Sequence, residues 1–174
     1  MSARTAVLVF LAAIAAAAIA TVLYHRSLAR ALLEDRPLAI ETVRPGPVEA
    51  ARRGAELRLS EEDLNRLLFS NLRARLALAE PYARLGLSQR DAETGRWLNA
   101  ELLVAIHLAP EGIAMRVLSG RVGKVSVSGA DKEWVRGRIE RQLAFEIARL
   151  PRIRELFFGA REIRVEGREL VARF

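Results

Sequence analysis

Three consecutive acids, Glu61, Glu62 and Asp63, stand inside LRLSEEDLNRLLFSNL, residues 57 to 72. Paired carboxylates are the groups that general acid–base chemistry uses, so these are the first residues to weigh. Their setting speaks against catalysis. Ser60 precedes them at the N-cap position of a helix, where its oxygen satisfies a free backbone amide. The carboxylates that follow fill the first turn, at the positive end of the helix dipole. Asp63, at the third helical position, makes a shortened capping box. Neighbours on one turn point in different directions, so the three acids do not converge on a substrate. Asn65, further along, is read as an exposed surface residue, with a bond to a neighbouring loop as the alternative.

Other reactive groups are sparse. His25 and His107 stand alone, without metal-ligand spacing. There is no cysteine, which excludes disulfides, a thiol nucleophile and cysteine-based zinc sites. Gly120, Gly123 and Gly129 precede a helical stretch, but the valines between them make them strand bends rather than a phosphate loop. No catalytic residue, metal or cofactor is therefore assigned. The net charge is +7 and 26 of the 28 basic residues are arginine, a residue suited to phosphate and anionic lipid. Acids are interleaved with those arginines, as on a solvated mixed-charge surface, so nucleic acid is not an expected partner.

The elements that hold these residues follow from periodicity. Leu64, Leu67, Leu68 and Leu72 form one face of the helix that Ser60 opens. Leu98, Ala100, Leu102, Val104, Ile106 and Leu108 share one strand face, with Asn99, Glu101, Leu103, Ala105 and His107 on the other. Ala109-Pro110-Glu111-Gly112 turns the chain, and Ile113, Met115 and Val117 alternate again, giving a hairpin. Val122, Val125 and Val127 predict a further strand with a bend, and residues 83–89 another. Asp131 is expected to cap a second helix through about Arg149, with Val135, Ile139, Leu143 and Ile147 as its apolar stripe and Pro151 as its stop. Glu162–Glu166 and Glu169–Phe174 read as strands joined at Gly167-Arg168.

Ala6–Tyr24 is an uncharged run of 19 residues. As a helix it measures about 28 Å, close to the hydrocarbon thickness of a bilayer. It is read as a signal-anchor, with His25 and Arg26 at the interface. A cleaved signal peptide, cut after Ala18-Ile19-Ala20, is the rival. Leu28, Leu32 and Leu33 continue a helix outward to Pro37, and Arg44-Pro45-Gly46-Pro47 reads as a linker. The expected division is a tail at 1–5, the anchor at 6–24, a juxtamembrane helix and linker at 25–54, and a soluble domain at 55–174.

Leu59-Ser60-Glu61-Glu62-Asp63-Leu64-Asn65-Arg66-Leu67-Leu68 resembles the L-T/S-E-x-x-L-N-x-L-L opening of YpmS-like bacterial membrane-anchored proteins, and Val122-Gly123-Lys124-Val125 loosely resembles their later V-G-x-L segment. The proline that often follows that segment is replaced here by Ser126-Val127-Ser128. The resemblance implies the architecture of tubular lipid-binding domains, in which a curved antiparallel sheet wraps a long helix. It also implies an extracytoplasmic domain on the inner membrane, and it supplies no catalytic residues.

The expected fold is α+β: an N-terminal transmembrane helix, then a curved antiparallel sheet packed on two amphipathic helices. The expected function is non-enzymatic binding of an apolar ligand such as a lipid chain between sheet and helix, contacted by Leu64, Leu68, Val104, Ile106 and Met115. The alternative is a single-span scaffold or assembly subunit of a cell-envelope complex that binds other proteins.

Overall fold

The apolar alternation from Leu98 to Leu108 builds the central strand of a large antiparallel sheet. The computed structural model describes residues 27, 31–70, 73–110 and 112–174. The run Ala6–Tyr24, with His25 and Arg26, lies outside the described residues, as does Leu72. Among the described residues no helix is long and apolar enough to cross a membrane.

Six strands form the large sheet: β1 (Leu33–Glu34), β4 (Ala74–Ala79), β5 (Tyr82–Arg90), β6 (Trp97–Ala109), β7 (Gly112–Val122) and β8 (Val125–Ser126). Their order is β4-β5-β6-β7-β8, and β1 pairs with the start of β6. The register stacks apolar side chains in rows. Leu78, Ala83, Val104 and Val117 stand opposite one another across four strands, and Leu76, Leu85 and Leu102 across three. Because side chains alternate with a period of two, a slip of one residue would turn every row outward; the rows therefore fix the register. The pairing shifts between Leu103 and Val104, where Ser119 and Val117 are the partners and Leu118 is left over as a bulge. Gly120 follows at φ 137°, and a Cβ there would lie 2.2 Å from the Glu101 carbonyl oxygen. Only glycine lets the strands approach so closely.

The second sheet has the order β2 (Ala51–Arg53), β3 (Glu56–Ser60), β10 (Glu169–Arg173), β9 (Glu162–Glu166). Its inner face carries Leu57, Leu59, Ile163, Val165, Leu170 and Ala172, which join the rows of the large sheet in one apolar core. Its outer face alternates charges: Arg58 pairs with Glu56, Glu166 and Glu169, and Arg173 with Glu56 and Glu162. Val171 sits among them, 1% exposed. The stems of long charged side chains can shield such a residue while their heads stay in water.

Among the elements the described residues delimit, three helices complete the α+β fold, one more than expected for the domain: α1 (Glu61–Phe69), α2 (Glu133–Ala148) and α3 (Pro151–Phe157). α2 starts two residues beyond Asp131, after a 3-10 turn over Ala130–Lys132. Pro151 ends α2 as expected and also opens α3 at its first turn, where a missing N–H costs nothing. Ile153 and Phe157 of α3 are buried, and Gly112 lets Ile153 approach β7.

Residues 33–53 are built into the domain rather than leading up to it. Leu33 and Glu34 pair with Leu98 and Trp97, and β2 pairs with β3. Between them the chain crosses the outer face of the large sheet as a strap. Buried Asn99 accepts the Leu38 N–H at 3.3 Å and the Ser88 hydroxyl at 2.7 Å, and donates to the Arg36 carbonyl at 2.8 Å. Ile40 lies over Gly86, where a Cβ would come within 2.8 Å of it.

Candidate functional site

The residues picked out for an apolar ligand all belong to the core rather than to a described cleft. Leu64 and Val104 are fully buried, Leu68 and Met115 nearly so, and the half-buried Ile106 packs against the same cluster. Met115 stands opposite Ile106 in the register. Two clefts of the described surface lie elsewhere, and charged groups of both signs stand on the walls of each.

The larger cleft, about 630 Å³, opens between the strap, the start of α1 and the β9–β10 turn. Glu41 and Arg44 come from the strap, Glu61, Glu62 and Arg66 from α1, Arg75 from β4 and Arg168 from the turn. Both signs are present and nearly balanced. The smaller, about 480 Å³, lies between β7 and α2, with Arg116, Glu133, Arg136 and Glu140 on its walls.

The polar residues of the opening motif can now be placed one by one. Ser60 is the N-cap of α1: its oxygen accepts the Asp63 N–H at 3.1 Å and its hydroxyl donates to Asp63 Oδ2 at 2.6 Å. This is the expected cap. Asp63 Oδ1 also accepts the Glu49 N–H at 3.1 Å, tying the strap to the helix. Glu62 is exposed and pairs with Arg66 one turn on.

Asn65 overturns the surface expectation: it is 5% exposed. Its Nδ2 donates to the carbonyls of Glu61 and Leu76, and its Oδ1 accepts the Leu76 N–H, all at 2.7 Å. Glu61, one turn earlier, is buried as well and accepts the Leu78 N–H at 3.0 Å. Its other oxygen faces Arg168 at 3.3 Å and Arg75 at 3.7 Å. Asn65 and Glu61 thus act as a substitute strand, satisfying the free edge of β4. The i, i+4 spacing of a helix places them over alternate residues of that edge.

The far edge of the sheet is closed in the same way. Glu140 of α2 accepts the Val117 N–H at 2.7 Å, and the Ser128 hydroxyl oxygen accepts the Gly120 N–H at 3.4 Å. Ser60, Glu61, Asp63 and Asn65, together with Glu140 and Ser128, thus each satisfy backbone amides or carbonyls of the fold. Among the described residues no three His, Asp or Glu side chains are grouped to hold a metal ion, and His107 is exposed. The Glu56 carboxyl is held below the usual glutamate range, chiefly by its hydrogen bond from Arg173 and then by that from Arg58.

What stays exposed is apolar in places. Trp134 and Phe145 of α2 are 54% and 57% exposed, and Phe158, just past α3, is 78% exposed. No family model, curated protein or solved structure matches this chain.

Proposed function

We propose that this is a membrane-anchored, non-enzymatic domain of the bacterial envelope that works as a scaffold, binding another protein through its charged cleft. The observation that carries this reading is the contrast between interior and surface. Leu64, Leu68, Val104, Ile106 and Met115 pack into one core, while the 630 Å³ opening is walled by Glu41, Arg44, Arg75 and Arg168. Mixed charge of both signs orients and selects a protein partner better than it holds an acyl chain. The covered edges of β4 and β7 support a partner that meets side chains rather than one that adds a strand to the large sheet. The run Ala6–Tyr24 supplies the anchor, and the resemblance to YpmS-like proteins supports an extracytoplasmic placement on the inner membrane.

A photo-reactive side chain at Thr42, on the cleft wall, tests this in membranes. The expected result is one discrete protein adduct that disappears in the double variant Arg44→Glu, Arg168→Glu. An acyl chain co-purifying with the folded domain, with no protein adduct, would move the assignment to lipid binding.

A further inference from the structure

We propose that the outward face of α2 lies on the anionic surface of the bilayer that anchors the chain, so that the domain touches the membrane at a second place. The proposal rests on the anchor reading of Ala6–Tyr24 and goes beyond the scaffold role. Trp134, Arg138, Arg141, Phe145 and Arg149 recur at intervals of four, three, four and four, which puts them on one stripe of the helix. All five are exposed, and the buried or half-buried Val135, Ile139, Leu143 and Ile147 occupy the opposite side.

The stripe carries aromatic rings and positive charge with no acid among them. Arg149 stacks over the Phe145 ring, 5.4 Å from its centre. Arg138 and Arg141 make no ion pair among the described residues. Of the acids of α2, Glu140 holds the Val117 N–H and Glu133 lines the β7-side cleft, while Glu146 takes a hydrogen bond from Gln142 at 2.9 Å and pairs with Arg149 of the stripe at 4.0 Å, leaving Arg138 and Arg141 as its uncompensated charges. Exposed tryptophan and phenylalanine interleaved with arginine is what a helix lying in the headgroup layer presents. The arginines fit lipid phosphate, and the rings fit the boundary of the acyl chains.

Where the chain enters the domain selects a bilayer over a protein as the occupant. Ala31 lies against the β7–β8 turn, its carbonyl accepting the Lys124 N–H at 2.8 Å. From that turn, β8 and Ser128 lead within a few residues to the 3-10 turn before α2. The chain therefore enters the domain beside the start of α2, at the β7 side of the sheet. Seven residue steps separate Tyr24 from Ala31, at most about 25 Å of extended chain. A span ending at Tyr24 holds this side of the sheet near the headgroups, while the charged cleft belongs to the opposite, β4 side.

The test uses the full chain with Trp97→Phe, which leaves Trp134 as the sole tryptophan, in vesicles of brominated phosphatidylcholine with or without phosphatidylglycerol. Bromine on the acyl chains quenches an indole that reaches them. The expected result is loss of Trp134 emission only where the anionic lipid is present. The double variant Arg138→Glu, Arg141→Glu should lower that quenching by at least about tenfold, with an unchanged melting curve. Emission that stays bright in both vesicle types, while the chain floats with them, overturns the proposal. So does a concentration-dependent Trp134 shift in phosphatidylcholine alone, which would make a second copy the occupant. An alkaline wash read on the same vesicles reports the anchor separately: extraction of the chain overturns the span, whatever Trp134 does.

Discussion

Asn65 shows how much one side chain can decide. It serves both backbone groups of Leu76 on an edge strand, so removing it strands a buried donor and a buried acceptor. Each such group costs about 1–3 kcal/mol when left without a partner. Asn65→Leu, of similar volume, is therefore expected to lower stability by roughly 2–4 kcal/mol, read as a shifted denaturation midpoint at constant slope. Ser60→Ala should cost about 0.5–2 kcal/mol, and Glu62→Ala, at an exposed pair, at most a few tenths. An Asn65 variant no worse than the Glu62 one would refute the substitute-strand role. The Ser60 cap was legible because donor and acceptor lie three residues apart. The partners of Asn65 and Glu61 are Leu76 and Leu78, 11 and 17 residues on, in a strand whose Arg-Leu-Ala alternation gave little sign of itself. Glu61 looked like a dipole-stabilising acid because that role is local, and its tertiary role is not.

At the scale of elements, the long hairpin and the closing hairpin were readable because both depend on period and turn chemistry alone. α3 was missed because a proline that stops one helix is equally suited to start the next. The strap was missed for a different reason. Prolines and glycine spell a linker by composition, yet Asn99, Ser88 and Asp63 supply the hydrogen bonds that such a segment cannot make within itself. The five apolar residues expected at a ligand site all belong to the core, because one alternation and one leucine stripe turn them inward. Periodicity gives the direction of a side chain and not whether the space before it is filled. Met115→Trp measures that filling. In the packed core seen here it should overpack and destabilise by about 1–3 kcal/mol in thermal melts. A variant that melts normally and changes the binding of a fluorescent fatty acid would mean that the interior opens.

For the whole molecule, the charged outer face of the small sheet links stability to acidity. The Glu56 carboxyl titrates lower in the folded chain than in the unfolded one, because Arg173 and Arg58 hold its ionised form. Its contribution is thus fully present above the ordinary glutamate range and is lost as pH falls through the lowered folded value. Denaturation midpoints followed from neutral to acid pH should fall more steeply for the native chain than for Glu56→Gln. Parallel curves would show that the arrangement adds nothing. Exposure of the pair keeps the effect small and sensitive to salt.

β3 finds its partner more than a hundred residues on: Glu56 faces Arg173 and Leu57 faces Ala172. A ribosome delivers β3 more than a hundred residues before β10, so Leu57 and Leu59 wait uncovered while the rest is made. The β5–β6–β7 meander, whose contacts are local, can form during that wait; the small sheet cannot. The β9–β10 hairpin is therefore the step that completes the small sheet. A nascent chain stalled before Glu169 should remain open to protease within β3 and α1, and should close only when residues 169–174 emerge.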